Sequence, residues 1–281
     1  MAPTFLVTGA SGFIGSAVAT ALLDHGHVTG LSRRSCAFTH DLVRPLPPRP
    51  QLKGAVVVHC AAEIHSTDWQ QLWSSNVVAT QNLLEWSRRH DVTRFILFST
   101  GGVYGYQAGR RRPETDPVAP FGGYGHSKHL AELVCRAGAQ LFGLEVVIFR
   151  LYFPFGADLR SGVFRRVADA LRDGSPLRIN KDGAPRMTPV HVADVADAVV
   201  RGIAPTFPAG CYNLSGDQDI SFLELVRAME ARLGTAARLI DTHETPGDMM
   251  GDNTALRATG WRPRHRVQDF IRDELPVAVP T

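Results

Sequence analysis

Thr4-Phe5-Leu6-Val7-Thr8-Gly9-Ala10-Ser11-Gly12-Phe13-Ile14-Gly15 decides the fold. The first four residues form a short apolar run of the length and character of a buried strand. The run ends in glycines at 9, 12 and 15. These allow a tight turn, close approach of the backbone to a pyrophosphate, and close packing of a helix on a strand. A three-glycine pattern is weak in isolation. Here it stands at the first strand–helix junction, where a dinucleotide-binding turn belongs, so Gly9, Ser11, Gly12, Phe13, Ile14 and Gly15 are expected to contact a cofactor.

Outward from this turn, short apolar runs alternate with longer amphipathic stretches. Residues 4–7, 28–31, 55–60, 95–98 and 146–150 read as buried parallel strands, and 15–24, 72–89 and 124–142 as helices. Strand and helix in this order imply an α/β chain, a Rossmann-type doubly wound parallel sheet with ligands at the carboxyl ends of its strands. After about residue 155 the rhythm changes. Helices are expected at 163–172, 192–203 and 222–233, the last with Ser221 and Glu224 as a capping box. Short irregular strand and turn fills 176–188, another strand spans 211–214, and the tail from Thr242 shows little periodicity. The reading is a dinucleotide-binding domain over 1–155 and a smaller, irregular α+β C-terminal substrate lobe over 156–281, with 189–204 packing back on the first domain.

Composition removes several function classes. The 281 residues are 44% hydrophobic and 20% charged, which supplies a core and excludes wholesale disorder. Thirty Lys+Arg against 27 Asp+Glu leave +3, too balanced for a dedicated nucleic-acid surface. Cys36, Cys60, Cys135 and Cys211 stand far apart, and no His/Cys/Asp spacing suggests a metal. The N-terminus lacks the regions of a secretory signal and no run approaches a membrane span, so a cytoplasmic protein with no membrane partner is expected.

Three further segments carry chemistry. The second strand ends in Ser32-Arg33-Arg34, where an acidic residue would bind a ribose 2′-hydroxyl. A guanidinium suits a 2′-phosphate and a small hydroxyl leaves room for it, so NADP(H) is preferred and NAD(H) remains possible. Tyr124-Gly125-His126-Ser127-Lys128 places a phenol and an ammonium at i and i+4, neighbours on one helical face. Phe98-Ser99-Thr100 closes a strand at the sheet edge where a substrate would lie. A tyrosine that exchanges a proton at neutral pH must be lowered from about 10, and a nearby ammonium and an oxidised nicotinamide both do this.

In combination these features resemble the extended short-chain dehydrogenase/reductase family of nucleotide-sugar epimerases, dehydratases and ketoreductases. The resemblance runs over nearly the whole chain. It includes Thr8–Gly15, Asp41-Leu42, His59-Cys60-Ala61-Ala62-Glu63, Asn76-Val77-Val78-Ala79-Thr80, Ser99-Thr100-Gly101-Gly102-Val103-Tyr104-Gly105 and Tyr124–Lys128. It continues through Arg186, Val190-His191-Val192-Ala193-Asp194, Pro246-Gly247-Asp248 and Gly260-Trp261-Arg262-Pro263. The resemblance implies Tyr124 as catalytic acid/base, Lys128 as the residue that binds the nicotinamide ribose and lowers the phenol, and Thr100, with Ser99 as fallback, as the hydroxyl on the reacting oxygen. Asp41 and Leu42 would contact the adenine, and Ala61 and Ala62 would lie along the cofactor. Asn76 would support the active site or cap a helix. Arg186 would contact a substrate diphosphate or form a structural salt bridge. A homodimer through helices 72–89 and 124–142 is also implied.

Departures from the family pattern narrow the choice. Gly101-Gly102 stands where sugar 4,6-dehydratases carry Asp-Glu, which argues against elimination. Phe153 replaces an asparagine near the substrate phosphates, and Thr245 an arginine. Glu63 and His65, in the loop after residues 55–60, are candidates for a sugar hydroxyl or for stabilising their own loop. Arg110-Arg111-Arg112 reads as a solvated charge run, and His191 as a satisfied core or hinge histidine. The leading expectation is an NADP(H)-preferring ketoreductase on a sugar-like, nucleotide-activated small molecule. The alternatives are a nucleotide-sugar 4-epimerase with tightly held cofactor and a non-catalytic dinucleotide-binding module.

Overall fold

The computed structural model describes residues 2–34, 36–106, 109–159, 161–244 and 247–275. The first half lays down β1 (Thr4–Thr8), α1 (Phe13–Leu22), β2 (His27–Ser32), a two-residue β3 (Phe38–Thr39) and β4 (Val56–His59). Next come α2 (Trp69–Leu72), which runs through a π turn (Trp73–Val78) into α3 (Ala79–Arg89), then β5 (Arg94–Thr100), α4 (Gly122–Phe142) and β6 (Glu145–Leu151). The sheet is wholly parallel, in the order β3-β2-β1-β4-β5-β6 with β11 (Gly210–Leu214) beyond β6. The strand order reverses beside β1, so the β1 and β4 ends flank the crevice where a doubly wound sheet binds ligands.

Both faces of the sheet are covered, which is why its strands read as continuous apolar runs and not as alternating ones. Along β5, Phe95 and Leu97 enter the core beneath α3 and α4, whereas Ile96 and Phe98 enter the opposite core beneath α1 and α6 (Val192–Gly202). A third core fills the C-terminal lobe between α5 (Val163–Asp173) and α7 (Phe222–Leu233). There Phe155 stacks on Phe164 at 4.9 Å and meets Phe270 edge-on at 5.4 Å.

Between these helices the lobe is tied by short strand pairs. β7 (Pro154–Phe155) pairs with β10 (Val190–His191), β8 (Leu177–Ile179) with β13 (Leu239–Asp241), and β9 (Arg186–Met187) with β12 (Ile220–Ser221). The capping box of α7 is made in both directions: Glu224 N donates to Ser221 Oγ at 3.1 Å, and Ser221 N to Glu224 Oε2 at 2.6 Å.

The structure differs from the sequence reading at the π turn within 72–89 and in two further places. The strand β3 is too short to show a pattern. The described part of the tail carries α8 (Thr254–Ala258) and α9 (Val267–Asp269), the latter running into a π turn (Phe270–Glu274). Leu256 and Trp261 are fully buried against the sheet, and Val267, Phe270 and Ile271 against the lobe core. Single aromatic anchors separated by Gly and Pro leave no period to detect. Among the described residues no helix is long and apolar enough to cross a membrane.

Candidate active site

A groove of about 580 Å³ opens along the carboxyl ends of β1, β2 and β4. Its floor is the turn read from the sequence. Gly9 holds φ +66°, a Cβ there would lie 2.8 Å from Ala61 N, and one on Gly15 would lie 2.1 Å from Gly9 O. Side chains are therefore excluded where loop, strand and helix converge. Phe13 and Ile14 open α1, with Ile14 on the core and Phe13 beside Gly156, so they offer the groove mainly their backbone N–H groups at the positive end of the helix.

Ser11, Gly12, Ser32, Arg33, Arg34, Asp41, Leu42, Ala61 and Ala62 all line this groove. Arg33 and Arg34 are exposed at the end of β2 and form no ion pair among the described residues. Ser32 Oγ donates to Arg34 O. Asp41 closes its own turn by accepting from Val43 N at 3.2 Å, and Asn82 holds that loop through Leu42 O and Val43 O.

The wall between the groove and α4 is a polar chain whose directions can be assigned. Thr80 Oγ1 donates to Asn76 O at 2.6 Å, so it accepts from His59 Nε2–H at 3.1 Å. His59 Nδ1 then accepts from Thr8 Oγ1 at 2.7 Å, and Thr8 Oγ1 accepts from Ala61 N at 3.2 Å. Burial and the nearby Lys128 ammonium push His59 down to about 3, which keeps it neutral. Asn76 caps nothing: it lies inside the π turn, accepts from Glu63 N, and donates to Glu63 O and Ser127 Oγ.

At the end of β5 a second cleft, of about 460 Å³, contains Thr100, Gly102, Tyr106, Phe121, Tyr124 and Met249. Thr100 Oγ1 accepts from Gly102 N at 3.1 Å and starts the short turn Gly101–Tyr104. Burial pushes the Tyr124 phenol up to about 12, and the Thr100 hydroxyl beside it works in the opposite direction. One turn along α4, Lys128 is buried, and its ammonium makes no hydrogen bond or ion pair among the described residues. Burial pulls it down to about 8. An ammonium with no partner among the described residues, one helical turn from the phenol and near Cys60 of the glycine-cradled groove, is the arrangement a dinucleotide ribose would satisfy, so the residues present fit the cofactor.

Other candidates point elsewhere. Ser99 Oγ turns away from the cleft and donates to Glu132 Oε1 at 2.6 Å. Glu63 accepts from His65 N and Ser66 N within its own loop, and these bonds hold its carboxyl below the ordinary range. His65 is exposed, whereas Ser66 and Thr67 from the same loop line the cleft. Phe153 holds φ +39° and packs between the lobe core and Tyr104 and Tyr152. That backbone region is one asparagine tolerates better than phenylalanine.

Arg186 pairs with Asp219 at 2.9 Å and lies 3.6 Å from Glu224, while its backbone N donates to Asp248. Arg110–Arg112 is not a solvated run. Arg110 and Arg112 pair with Asp116, Arg111 with Asp219, and Arg112 is buried over the Tyr104 ring. His191 is buried, caps α6 through Ala193 N, and bonds Glu274 at 3.2 Å. Thr245 and Pro246 lie outside the described residues.

Sequence reasoning missed the buried set behind the catalytic helix: Glu132, Arg150, Tyr104 and Asn213. The available signal was an acid eight residues after Tyr124 on the same helix face, and an arginine within an otherwise apolar strand.

Residues 5–214 match the NAD dependent epimerase/dehydratase family. The chain is 30% identical to a UDP-glucose 4-epimerase of Mycolicibacterium smegmatis over 298 residues, 95% of each chain. It is 30% identical to a dTDP-glucose 4,6-dehydratase of Streptomyces griseus over 257 residues, 80% of this chain and 77% of that one. The solved UDP-glucose 4-epimerase of Thermus thermophilus in complex with NAD has a TM-score of 0.83 at 25% identity, covering 96% of this chain and 97% of that one. A dTDP-glucose 4,6-dehydratase of Streptomyces venezuelae with NAD bound has a TM-score of 0.84 at 25% identity, covering 96% and 95%. With the glycine turn, the Tyr124–Lys128 pair and the seven-stranded parallel sheet all in place, this chain belongs to the NAD-dependent epimerase/dehydratase family of extended short-chain dehydrogenase/reductases and is an enzyme of that family.

Proposed function

We propose that the protein is a nucleotide-sugar 4-epimerase working with a retained nicotinamide dinucleotide. The observation that carries this reading is Gly101. A Cβ there would lie 2.3 Å from the buried Tyr152 ring, so the first acid of a dehydratase Asp-Glu pair has no room and the second position is also glycine. The redox residues remain without the eliminating ones. Relatives that are epimerases and dehydratases, with NAD bound in the solved neighbours, support this reading over the ketoreductase expected from sequence.

The groove residues would hold the dinucleotide, with Gly9–Gly15 under the pyrophosphate, Lys128 on the ribose, and Ala61 and Ala62 alongside. When bound, it supplies reversible hydride acceptance at a carbinol carbon. Tyr124 would take the hydroxyl proton as that carbon is oxidised and return a proton to the oxygen as the carbonyl is reduced. Thr100 holds the reacting oxygen beside the phenol. Lys128 favours the phenolate through its charge. Arg186 meets a substrate diphosphate only by sharing its guanidinium with Asp219 and Glu224.

Incubation with a UDP-hexose and no added cofactor should give two interconverting epimers. Mass spectrometry of denatured protein should release a bound dinucleotide in near-stoichiometric amount. A strict requirement for added NADPH, with net reduction of a keto-sugar, overturns the proposal. One observation favours NADP(H) as that second reading's cofactor: Ser32 and two unpaired arginines stand where a ribose hydroxyl would need a carboxylate. Identifying the released dinucleotide decides between the two.

A homodimer belongs to the same proposal. Trp73, Leu133 and Leu141 stay exposed on the helices implied for it, and sedimentation equilibrium tests that. Four free cysteines suit a reducing, cytoplasmic setting.

A further inference from the structure

We propose that Glu132 is a positioning residue for Lys128: its buried carboxylate, clamped one turn further along α4, is the counter-charge that keeps the lysine an ammonium beside Tyr124. Tyr124, Lys128 and Glu132 stand at i, i+4 and i+8, a single stripe of the helix. Glu132 is fully buried. Arg150 grips it with both arms, Nε to Oε1 at 2.9 Å and a terminal nitrogen to Oε2 at 2.7 Å, and Ser99 Oγ adds a bond at 2.6 Å. Arg150 is itself fixed through Tyr104 Oη at 2.6 Å, which donates to Asn213 Oδ1 at 3.1 Å. Three donors, two of them from one guanidinium, converge on this carboxylate.

The other titratable groups facing Lys128 carry no charge. From β4, His59 is neutral and the Cys60 thiol is pushed up by burial. From α4, Cys135 and Tyr124 are pushed up to about 12 for the same reason. Among the described residues, Glu132 is the one carboxylate that acts against the burial lowering Lys128, and the Cys135 and Cys60 sulfurs act in the same direction. Stability alone gives little reason for ions here, since a buried pair is often replaceable by apolar side chains without loss. A charge placed one turn from a catalytic lysine has a use that an apolar pair lacks.

The inference rests on the role given to Lys128 above, so its test reads the lysine itself and not turnover. The chain has three lysines, Lys53, Lys128 and Lys181, and the other two are exposed. In full-length protein labelled with ¹³C-lysine, pH titration by NMR gives three resonances. Lys128 is identified by its loss in Lys128→Arg, and its midpoint should lie at about 8.

Glu132→Gln should lower that midpoint by about one unit, and Arg150→Met should raise it. The double variant Glu132→Gln/Arg150→Met keeps the site filled and charge-balanced if either single variant fails to fold. The double variant removes the anion one helical turn from the lysine, so it should lower the midpoint by about half a unit. A Lys128 midpoint within about 0.2 units of the parent in the double variant overturns the proposal, whatever the stability of the variants. Absence of epimerisation by the parent protein would refute the proposed function and leave this titration standing.

Discussion

Burial holds the Tyr124 phenol up at about 12, and the Thr100 hydroxyl offsets that only in part. Under the proposed function, the remaining push towards the phenolate would come from the Lys128 ammonium and the positively charged nicotinamide. Binding of the oxidised dinucleotide to the stripped protein should release up to one proton near neutral pH, read by calorimetry in buffers of different ionisation enthalpy. Tyr124→Phe should bind the dinucleotide with no such release and lose about 10²–10⁴ in turnover. The same burial sets an alkaline limit. Tyr104 and Tyr124 both sit near 12, above their unfolded value of about 10, so their contribution to stability is complete below pH 10 and is lost as pH rises towards 12. A thermal-melt series across that window should show a falling midpoint. At this scale the sequence was most legible where the chemistry is local. Tyr124 and Lys128 are four residues apart, and no distant contact is needed to make them neighbours. It was least legible for Ser99, Glu63 and Arg186, whose hydroxyl, carboxylate and guanidinium each turn to partners that no spacing rule supplies.

Elements with a strong period were visible along their whole length. The helix after β1, the long helix carrying Tyr124 and the capped helix at Phe222–Leu233 are all where the pattern of apolar residues and caps puts them. The first of these depends on one contact. Gly15→Ala would place a methyl 2.1 Å from Gly9 O, so α1 must move off the turn. Overpacking of this kind costs about 1–3 kcal/mol, and dinucleotide affinity should fall with it, measurable as a lower urea midpoint and a weaker binding isotherm. The π turn at Trp73–Val78 was not visible, because one extra residue in a helical turn leaves the apolar stripe almost unchanged. Its consequence is specific. The turn aims Asn76 at Glu63 and Ser127, joining the loop after β4 to the catalytic helix through three bonds. Asn76→Ala should cost about 2–3 kcal/mol in denaturant unfolding, one increment of about 1 kcal/mol per bond lost.

Across the whole molecule, the tail decides how the two halves are held. Trp261 is fully buried against the sheet and its indole N–H donates to Asp194 O at 3.1 Å, while the Asp194 carboxylate receives Arg264 N, His265 N and His265 Nδ1. A few residues later, Phe270 and Ile271 enter the lobe core. Trp261→Ala should therefore cost about 3–5 kcal/mol, a large share of a typical domain's stability, seen as a marked fall in thermal midpoint. The sequence by itself determined the parallel sheet, the glycine turn at its first crossover, and the phenol–ammonium pair. These follow from hydrogen-bonded periodicity and from steric limits within a few residues of chain. Only the tertiary structure decided that Arg150 meets Glu132, that Arg112 is buried over Tyr104, that Arg186 is shared with Asp219, and that an unpatterned tail closes two cores. Those partners lie far apart along the chain. Their meeting is set by strand register and by where helices land on the sheet, which no local pattern of residues encodes.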